Sequence, residues 1–129
     1  MQTFQKEERL SSKKLIDELF KKGSAFVVSP FRLIWSESPL LSSSPVEVVI
    51  SVPKKHFPKA VDRNRIKRQM REAYRKNKEI IYSHLRSKNK QLAMMLIYID
   101  KVPCEYKEIE SKIILTLQRC VKEHEKLSK

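Results

Sequence analysis

The segment from Lys59 to Ile81 constrains the fold more than any other part of this chain. On a helical wheel of 3.6 residues per turn, its apolar side chains fall on one side. These are Ile66, Met70, Ala73, Tyr74, Ile80 and Ile81. Polar and basic side chains fall on another side, a quarter to a half turn away: Asn64, Lys67, Arg68, Arg71 and Arg75. The pattern predicts one long amphipathic helix whose apolar side packs against the rest of the protein.

Two further helices are predicted, one on each side of this segment. The first follows Leu10, with Ser11 or Ser12 as its N-cap and Gly23 just past its end. The last runs over residues 105–125, where apolar residues recur at helical spacing. Pro103 separates it from what precedes.

Three segments are typical of strands. Residues 26–35 predict a strand that is interrupted or begins at Pro30, with Phe31, Leu33 and Trp35 on one apolar face. Residues 46–52 alternate in the same way and predict a second strand, antiparallel to the first. Residues 91–99 are almost continuously apolar, which indicates a central strand covered on both faces.

The resulting order is αββαβα, which predicts the α+β class: a two-layer sandwich in which helices pack on a small mixed sheet. The chain has 129 residues, and we expect a single RNA-binding domain over 1–129, with loose ends at 1–9 and 127–129.

The balance of charge predicts the partner. The chain carries 28 Lys and Arg against 15 Asp and Glu, a net charge of +13. Residues 54–78 hold eleven of these cations and only Asp62 and Glu72 as acids. Within the long helix, Arg68, Arg71 and Arg75 stack like charges at helical spacing, which costs stability unless a polyanion compensates. Arginine favours bidentate contacts to phosphate. A nucleic acid is the partner that this pattern favours.

Other function classes find little support in the sequence. The single glycine, Gly23, excludes a glycine-rich phosphate loop, and no apolar run is long enough to span a bilayer. Cys104 and Cys120 have no metal-ligand spacing, and we interpret both as small buried hydrophobes in a reducing cytoplasm. No catalytic residue and no metal ligand is predicted.

Three histidines and two acids are considered as candidates for chemistry, and none is supported by its spacing. His56, His84 and His124 are far apart in sequence, and no paired-carboxylate pattern appears. Asp62 and Glu72 stand where an N-cap and an intrahelical pair are expected. A basic amphipathic helix on a membrane remains an alternative, but its apolar side lacks Trp and Phe and is expected to be core.

The run from Val61 to Tyr74, which contains Arg63-Asn64-Arg65, resembles the signature helix of the bacterial ribonuclease P protein family. The strand and turn from Ile50 to Lys55 resemble the segment that leads into that helix. Phe20 to Gly23 and Phe31-Arg32-Leu33 also match, and in element order the resemblance covers roughly residues 9–121.

The resemblance implies a fold like the second domain of ribosomal protein S5 and a protein subunit that binds a catalytic RNA and the 5′ leader of precursor tRNA. Such a subunit assists removal of the 5′ leader, and the resemblance implies that the protein alone is not catalytic. The implied RNA-binding residues are Lys54, Lys55, Arg63, Asn64, Arg65, Lys67, Arg68, Arg71 and Arg75. The implied leader cleft lies between the first helix and the sheet, with Ile16, Phe20, Phe31 and Ile34 as candidates.

The family also implies that the protein itself holds no cofactor, and that Mg²⁺ of the holoenzyme is held mainly by RNA. We expect a cytoplasmic protein that binds no membrane and has no obligate protein partner. The alternative is a ribosomal or other structured-RNA-binding protein without a processing role, which charge and element order allow equally well.

Overall fold

A computed structural model describes residues 8–40 and 42–127. These residues form four helices and four strands in the order αβββααβα. They are α1 (Lys13–Lys22), β1 (Ser24–Val28), β2 (Phe31–Glu37), β3 (Val46–Ser51), α2 (Ala60–Asn77), α3 (Glu79–Lys88), β4 (Leu92–Tyr98) and α4 (Tyr106–Leu127). The predicted α+β class, with helices on a mixed sheet, is confirmed.

The four strands form one sheet in the order β1-β2-β4-β3. β1 and β4 both pair with β2 in antiparallel fashion, whereas β3 pairs with β4 in parallel. The second predicted strand, β3, therefore does not pair with β2, because β4 lies between them. The apolar run of β4 is central, as predicted, and all but one of its residues are buried.

The predicted strand over 26–35 is in fact a hairpin. Ser29 and Pro30, joined by a cis peptide bond, form the turn between β1 and β2. Val28 pairs with Phe31 directly across it. The sequence prediction merged two strands into one, so the element order gains a strand.

Helices cover both faces of the sheet. On one face, Phe31, Leu33 and Trp35 join α2, α3 and α4 in the main core. On the other face, Ile34 and Met95 pack under Leu19 of α1 in a smaller core. Because side chains alternate along a strand, neighbouring residues of β2 belong to different cores.

The single predicted helix over 59–81 is two helices with a break at Lys78. Asn77 is the last residue of α2. Its side-chain Nδ2 donates to the carbonyl oxygen of Ala73 (2.8 Å) and to the Glu110 carboxylate (3.1 Å), which competes with the helical backbone pattern. Lys78 then turns inward to meet Glu8, with an Nζ to Oε1 distance of 2.6 Å. A buried interaction thus interrupts a segment whose sequence pattern is continuous.

The first helix begins and ends where the sequence predicts. Ser12 is its N-cap and accepts from the amide of Leu15 at 3.3 Å, and Gly23 is its C-cap. Gly23 is needed for close approach: an added Cβ would lie 2.5 Å from the carbonyl oxygen of Leu19 and 2.7 Å from Cγ2 of Ile34. The glycine lets the end of α1 rest directly on β2.

Three residues that the sequence predicts to be loose, Glu8, Arg9 and Leu127, belong to the described fold. Residues 1–7, 128 and 129 lie outside the described residues. Glu8, however, is buried, and the amide of Leu10 donates to the carbonyl of Val48 on β3 at 2.9 Å. Residues 8–10 therefore extend the edge of the sheet, and Leu127 still belongs to α4.

Candidate RNA interface

The core-facing side of α2 agrees with the helical wheel. Ile66, Met70, Ala73 and Tyr74 are all 0–1% exposed. They pack against the sheet and α4 in the main core. This side of α2 is thus unavailable to a membrane, which removes the argument for the membrane alternative. In the described part of the chain, no helix is long and apolar enough to cross a membrane.

The opposite side of α2 presents most of the predicted cations to solvent. Asn64, Arg65, Arg68 and Arg71 are exposed, and Lys67 is half-buried. Lys54 and Lys55 are exposed in the turn between β3 and α2. Seven of the nine predicted RNA-binding residues therefore form one polar surface along α2 and its leading turn. The remaining two, Arg63 and Arg75, are half-buried and engaged within the protein.

Arg63 supports the turn before α2. Its Nη1 donates to the carbonyl oxygens of Phe57 and Pro58, each at 2.8 Å. Two charge-assisted hydrogen bonds fix the backbone that follows Lys54 and Lys55. The structure thus gives Arg63 a positioning role that the sequence did not predict.

Arg75 pairs with Glu72 on the preceding turn of α2. The Nη2 to Oε1 distance is 2.6 Å, and Nε of Arg75 donates to Oε2 at 3.1 Å. This hydrogen bonding holds the pKa of the Glu72 carboxyl below its ordinary value, although exposure limits its contribution to stability. The predicted intrahelical role of Glu72 is confirmed. Asp62 is not the N-cap: Lys59 holds that position, and Asp62 lies in the first turn.

The exposed cations of α2 flank two different depressions. Arg65 and Arg68 line a depression toward the start of α4, together with Tyr106. Arg71 lines a groove beside β3, together with Arg9. The helix therefore offers positive charge in two directions, which fits contact with an extended polyanion.

A second candidate surface lies on the sheet face that α1 only partly covers. Phe20 of α1 is 63% exposed, so its ring is not core. Beside α1, a row of side chains crosses all four strands: Val27, Arg32, Ile97 and Ser51 are neighbours in register. Val27 and Arg32 are exposed. This strip thus combines an exposed apolar residue and an exposed cation with the half-buried Ile97 and Ser51, and Ile97 also packs against the smaller core under α1.

The four predicted cleft residues do not come together on this surface. Ile16 is half-buried and Ile34 is buried beneath α1, both in the smaller core. Phe31 is fully buried on the opposite face, edge-on to Tyr98 with ring centroids 5.8 Å apart. Phe31 is therefore a core residue, and its assignment to the cleft is wrong, because β2 alternates its side chains between the two faces.

Arg32 lies in the run Phe31-Arg32-Leu33, and the sequence did not predict it as a site residue. Its position between Phe31 and Leu33 places it on the face opposite theirs, and this alternation was the signal that could have identified it. Gln69 and Tyr106 also line the depression beside α2, and no sequence pattern singled them out.

Two histidines that are distant in sequence meet in the fold. Nε2 of His84 on α3 lies 2.8 Å from Nδ1 of His124 on α4. Nε2 of His124 lies 2.8 Å from Oε1 of Glu37 on β2. His124 is fully buried, and burial, with the neighbouring His124 ring, lowers the pKa of His84. The three groups satisfy one another and join two helices to the sheet.

The two cysteines differ in their surroundings. Cys120 is fully buried, as predicted, and burial raises its pKa to about 12. Cys104 is half-buried, and its Sγ accepts from the Tyr98 hydroxyl at 3.1 Å. Over residues 8–40 and 42–127, no group of three His, Cys, Asp or Glu side chains could hold a metal ion.

Comparisons with known proteins agree on one family. The family described as Ribonuclease P matches residues 4–120. A ribonuclease P protein component from Porphyromonas gingivalis is 37% identical over 119 residues, which is 88% of this chain and 83% of that protein. The ribonuclease P protein component of Petrotoga mobilis is 30% identical over 121 residues, covering 92% of this chain and 95% of that one.

Solved structures show the same fold. The RNase P protein from Thermotoga maritima matches with a TM-score of 0.70 at 24% identity, covering 87% of this chain and 96% of that one. The RNase P protein of Staphylococcus aureus matches with a TM-score of 0.66 at 22% identity, over 88% of this chain and 94% of that one. With a family match that spans most of its length and relatives of 30% identity or more, this chain belongs to the Ribonuclease P protein component family.

Proposed function

We propose that this chain is the protein subunit of ribonuclease P, which binds the catalytic RNA through α2 and the 5′ leader of precursor tRNA beside α1. The observation that carries the proposal is the polar surface of α2. Asn64, Arg65, Arg68 and Arg71 are exposed along one helix whose opposite side is core. Within the described residues no ion pair neutralises Arg65 or Arg68, so both can release counterions from RNA phosphates.

The leader would lie on the strip beside α1. The exposed ring of Phe20 offers a stacking surface, and Arg32 offers a cation to the backbone. Ile16 and Ile34 are aliphatic and cannot stack on a base. Recognition of the leader would therefore depend little on its sequence. This arrangement supports a single-stranded ligand more than a duplex, because stacking needs unpaired bases.

Cleavage is assigned to the RNA. His84, His124 and Glu37 meet in the fold, but they are hydrogen-bonded to one another. His124 is fully buried and out of reach of a phosphodiester. Mg²⁺ of the holoenzyme would be held mainly by RNA phosphates. We place this function in the cytoplasm, with no obligate protein partner.

Reconstitution tests the proposal. The protein is added to a bacterial ribonuclease P RNA at low magnesium, and cleavage of a precursor tRNA at its mature 5′ end is measured. We expect stimulation by the protein, strongest where few ions screen phosphate repulsion. Site-specific cleavage by nuclease-free protein without the RNA, or no stimulation at any magnesium concentration, would contradict it.

A further inference from the structure

A depression lies between α2 and the start of α4, outside the cleft beside α1. It consists of two adjoining cavities of about 470 and 500 Å³, a size common for small-ligand sites. Arg65, Gln69 and Tyr106 line both cavities. The inner cavity adds Asp62, Ile66, Pro103, Cys104 and Glu105, and the outer cavity adds Arg68 and Glu72. We call the two together the α2–α4 pocket.

Tyr106 supplies an aromatic wall that is already held in place. It is the first residue of α4, it is half-buried, and it packs against the main core. Nζ of Lys76 lies 5.6 Å from the centroid of its ring. Its hydroxyl is neutral at physiological pH even at the ordinary pKa of 10.0, and burial raises that pKa further. A fixed neutral ring stacks on a base at little cost in entropy.

The outer cavity keeps a positive charge. Arg65 and Arg68 lie one turn apart on α2 and are both exposed. The acid of this cavity, Glu72, is hydrogen-bonded to Arg75, so its charge is already compensated. Two guanidinium groups facing one opening suit a phosphate, which accepts bidentate hydrogen bonds.

The inner cavity has the opposite character. Two acids, Asp62 and Glu105, line it with a single cation, Arg65, beside Ile66 and Pro103. This excess of acids disfavours a phosphate, whereas the amino group of a base could donate to a carboxylate. Gln69 stands between the cavities and offers both a donor and an acceptor to a base edge.

We propose that the α2–α4 pocket binds one unpaired nucleotide of RNA. Its base stacks on Tyr106 and pairs with Gln69 in the inner cavity, and its phosphate lies between Arg65 and Arg68 in the outer one. This inference rests on the proposed function. It adds a subsite for a base to the surface of α2, which is otherwise expected to contact only the RNA phosphates. The nucleotide can come from the catalytic RNA or from precursor tRNA, which offer the same chemistry.

The test compares Tyr106→Leu with Tyr106→Phe, which keeps the ring and serves as the matched control. Two affinities are measured at fixed salt: that of the protein for the catalytic RNA, and that of the assembled complex for precursor tRNA. Loss of one stacked base predicts a weakening on the order of 5- to 100-fold for the leucine variant, with near wild-type affinity for the phenylalanine variant. The affinity that falls identifies the source of the nucleotide.

Gln69→Leu is the second variant, since Tyr106→Leu could impair packing of α4. Its control is Gln118→Leu on the exposed side of α4. We expect Gln69→Leu to weaken the same affinity as Tyr106→Leu and Gln118→Leu to leave both affinities unchanged. Thermal unfolding of each variant gives the folded fraction by which affinities are normalised.

Two outcomes overturn the pocket. One is wild-type affinity of folded Tyr106→Leu and Gln69→Leu for both RNAs; the other is equal weakening by Tyr106→Leu and Tyr106→Phe. If Arg65→Ala and Arg68→Ala still weaken RNA binding, the proposed function survives and only the nucleotide subsite fails. If these arginine variants also bind both RNAs normally, the proposed function fails with it.

Discussion

Glu8 and Lys78 form a buried ion pair that joins the start of the described chain to the break between α2 and α3. Oε1 of Glu8 accepts from Nζ of Lys78 and from the hydroxyl of Tyr82, each at 2.6 Å. The side chains of the ion pair are only 7–8% exposed. The pair fixes where α2 ends and holds residues 8–10 beside β3.

Replacing one partner of this pair should be costly. Glu8→Ala removes the carboxylate that meets the buried Lys78 ammonium, which we expect to lower the free energy of unfolding by about 3–5 kcal/mol. Urea unfolding measures it. The double variant Glu8→Met with Lys78→Met should recover part of the loss, because it removes both charges. A single variant as stable as wild type would show that the pair is solvated in solution.

Gly23→Ala should weaken the seating of α1. The new Cβ would meet the Leu19 carbonyl and the Ile34 side chain, so α1 must move away from β2. We expect a loss of about 1–3 kcal/mol in urea unfolding. Ser24→Ala, at the exposed adjacent position, is the control and should change stability little. An unchanged midpoint for Gly23→Ala would contradict the close approach.

The stability of the protein should fall as the pH drops below about 6.5. The pKa of His84 in the folded state lies below its ordinary value of 6.5. Burial is the larger cause, and the neighbouring His124 is the smaller one. The unfolded chain therefore takes up the proton first, so stability is complete above the unfolded pKa and is lost as pH falls through the folded one. Unfolding midpoints at pH 7.5 and about pH 5 measure this. His84→Gln should reduce the difference, whereas His56→Gln, in the turn before α2, leaves the pair intact and should not.

The two sides of α2 should separate stability from RNA binding. Met70→Ala should cost about 2–5 kcal/mol, because Met70 is fully buried. Arg68→Ala should leave stability within about 0.5 kcal/mol and flatten the dependence of log affinity on log salt by about 0.7–0.9. Lys88→Ala, at the end of α3, removes the same charge away from α2 and is the control for binding. An unchanged salt slope for Arg68→Ala would mean that Arg68 touches no phosphate.

Phe20→Ala should reduce binding of precursor tRNA without destabilising the fold, because the ring is 63% exposed. Loss of one stacked leader base predicts a weakening of about 1–3 kcal/mol in binding to the assembled complex. Binding of mature tRNA, which lacks the leader, should not change. Leu115→Ala, an exposed apolar change on α4, is the control. If Phe20→Ala weakened the binding of precursor and mature tRNA equally, Phe20 would not contact the leader.

The sequence alone determined the elements whose signal is local. Neighbouring residues predict an N-cap of α1 at Ser11 or Ser12, of which the structure uses Ser12, and its end at Gly23. They also predict the two sides of α2 and the central position of the β4 run. Helix and strand periodicity depend on residues within a few positions of one another, so they need no tertiary information. The polar surface of α2 follows from the same periodicity, and so does most of the candidate RNA interface.

Only the tertiary structure decided what depends on distant partners. Three features join residues that are far apart in sequence. They are the pairing of β4 between β2 and β3, the burial of Phe31 away from the cleft, and the contact of His84 with His124. The break at Lys78 has the same origin, since Glu8 stands 70 positions away. Such contacts are chosen by packing and by burial of charge across the whole fold, and these have no signature in a local pattern.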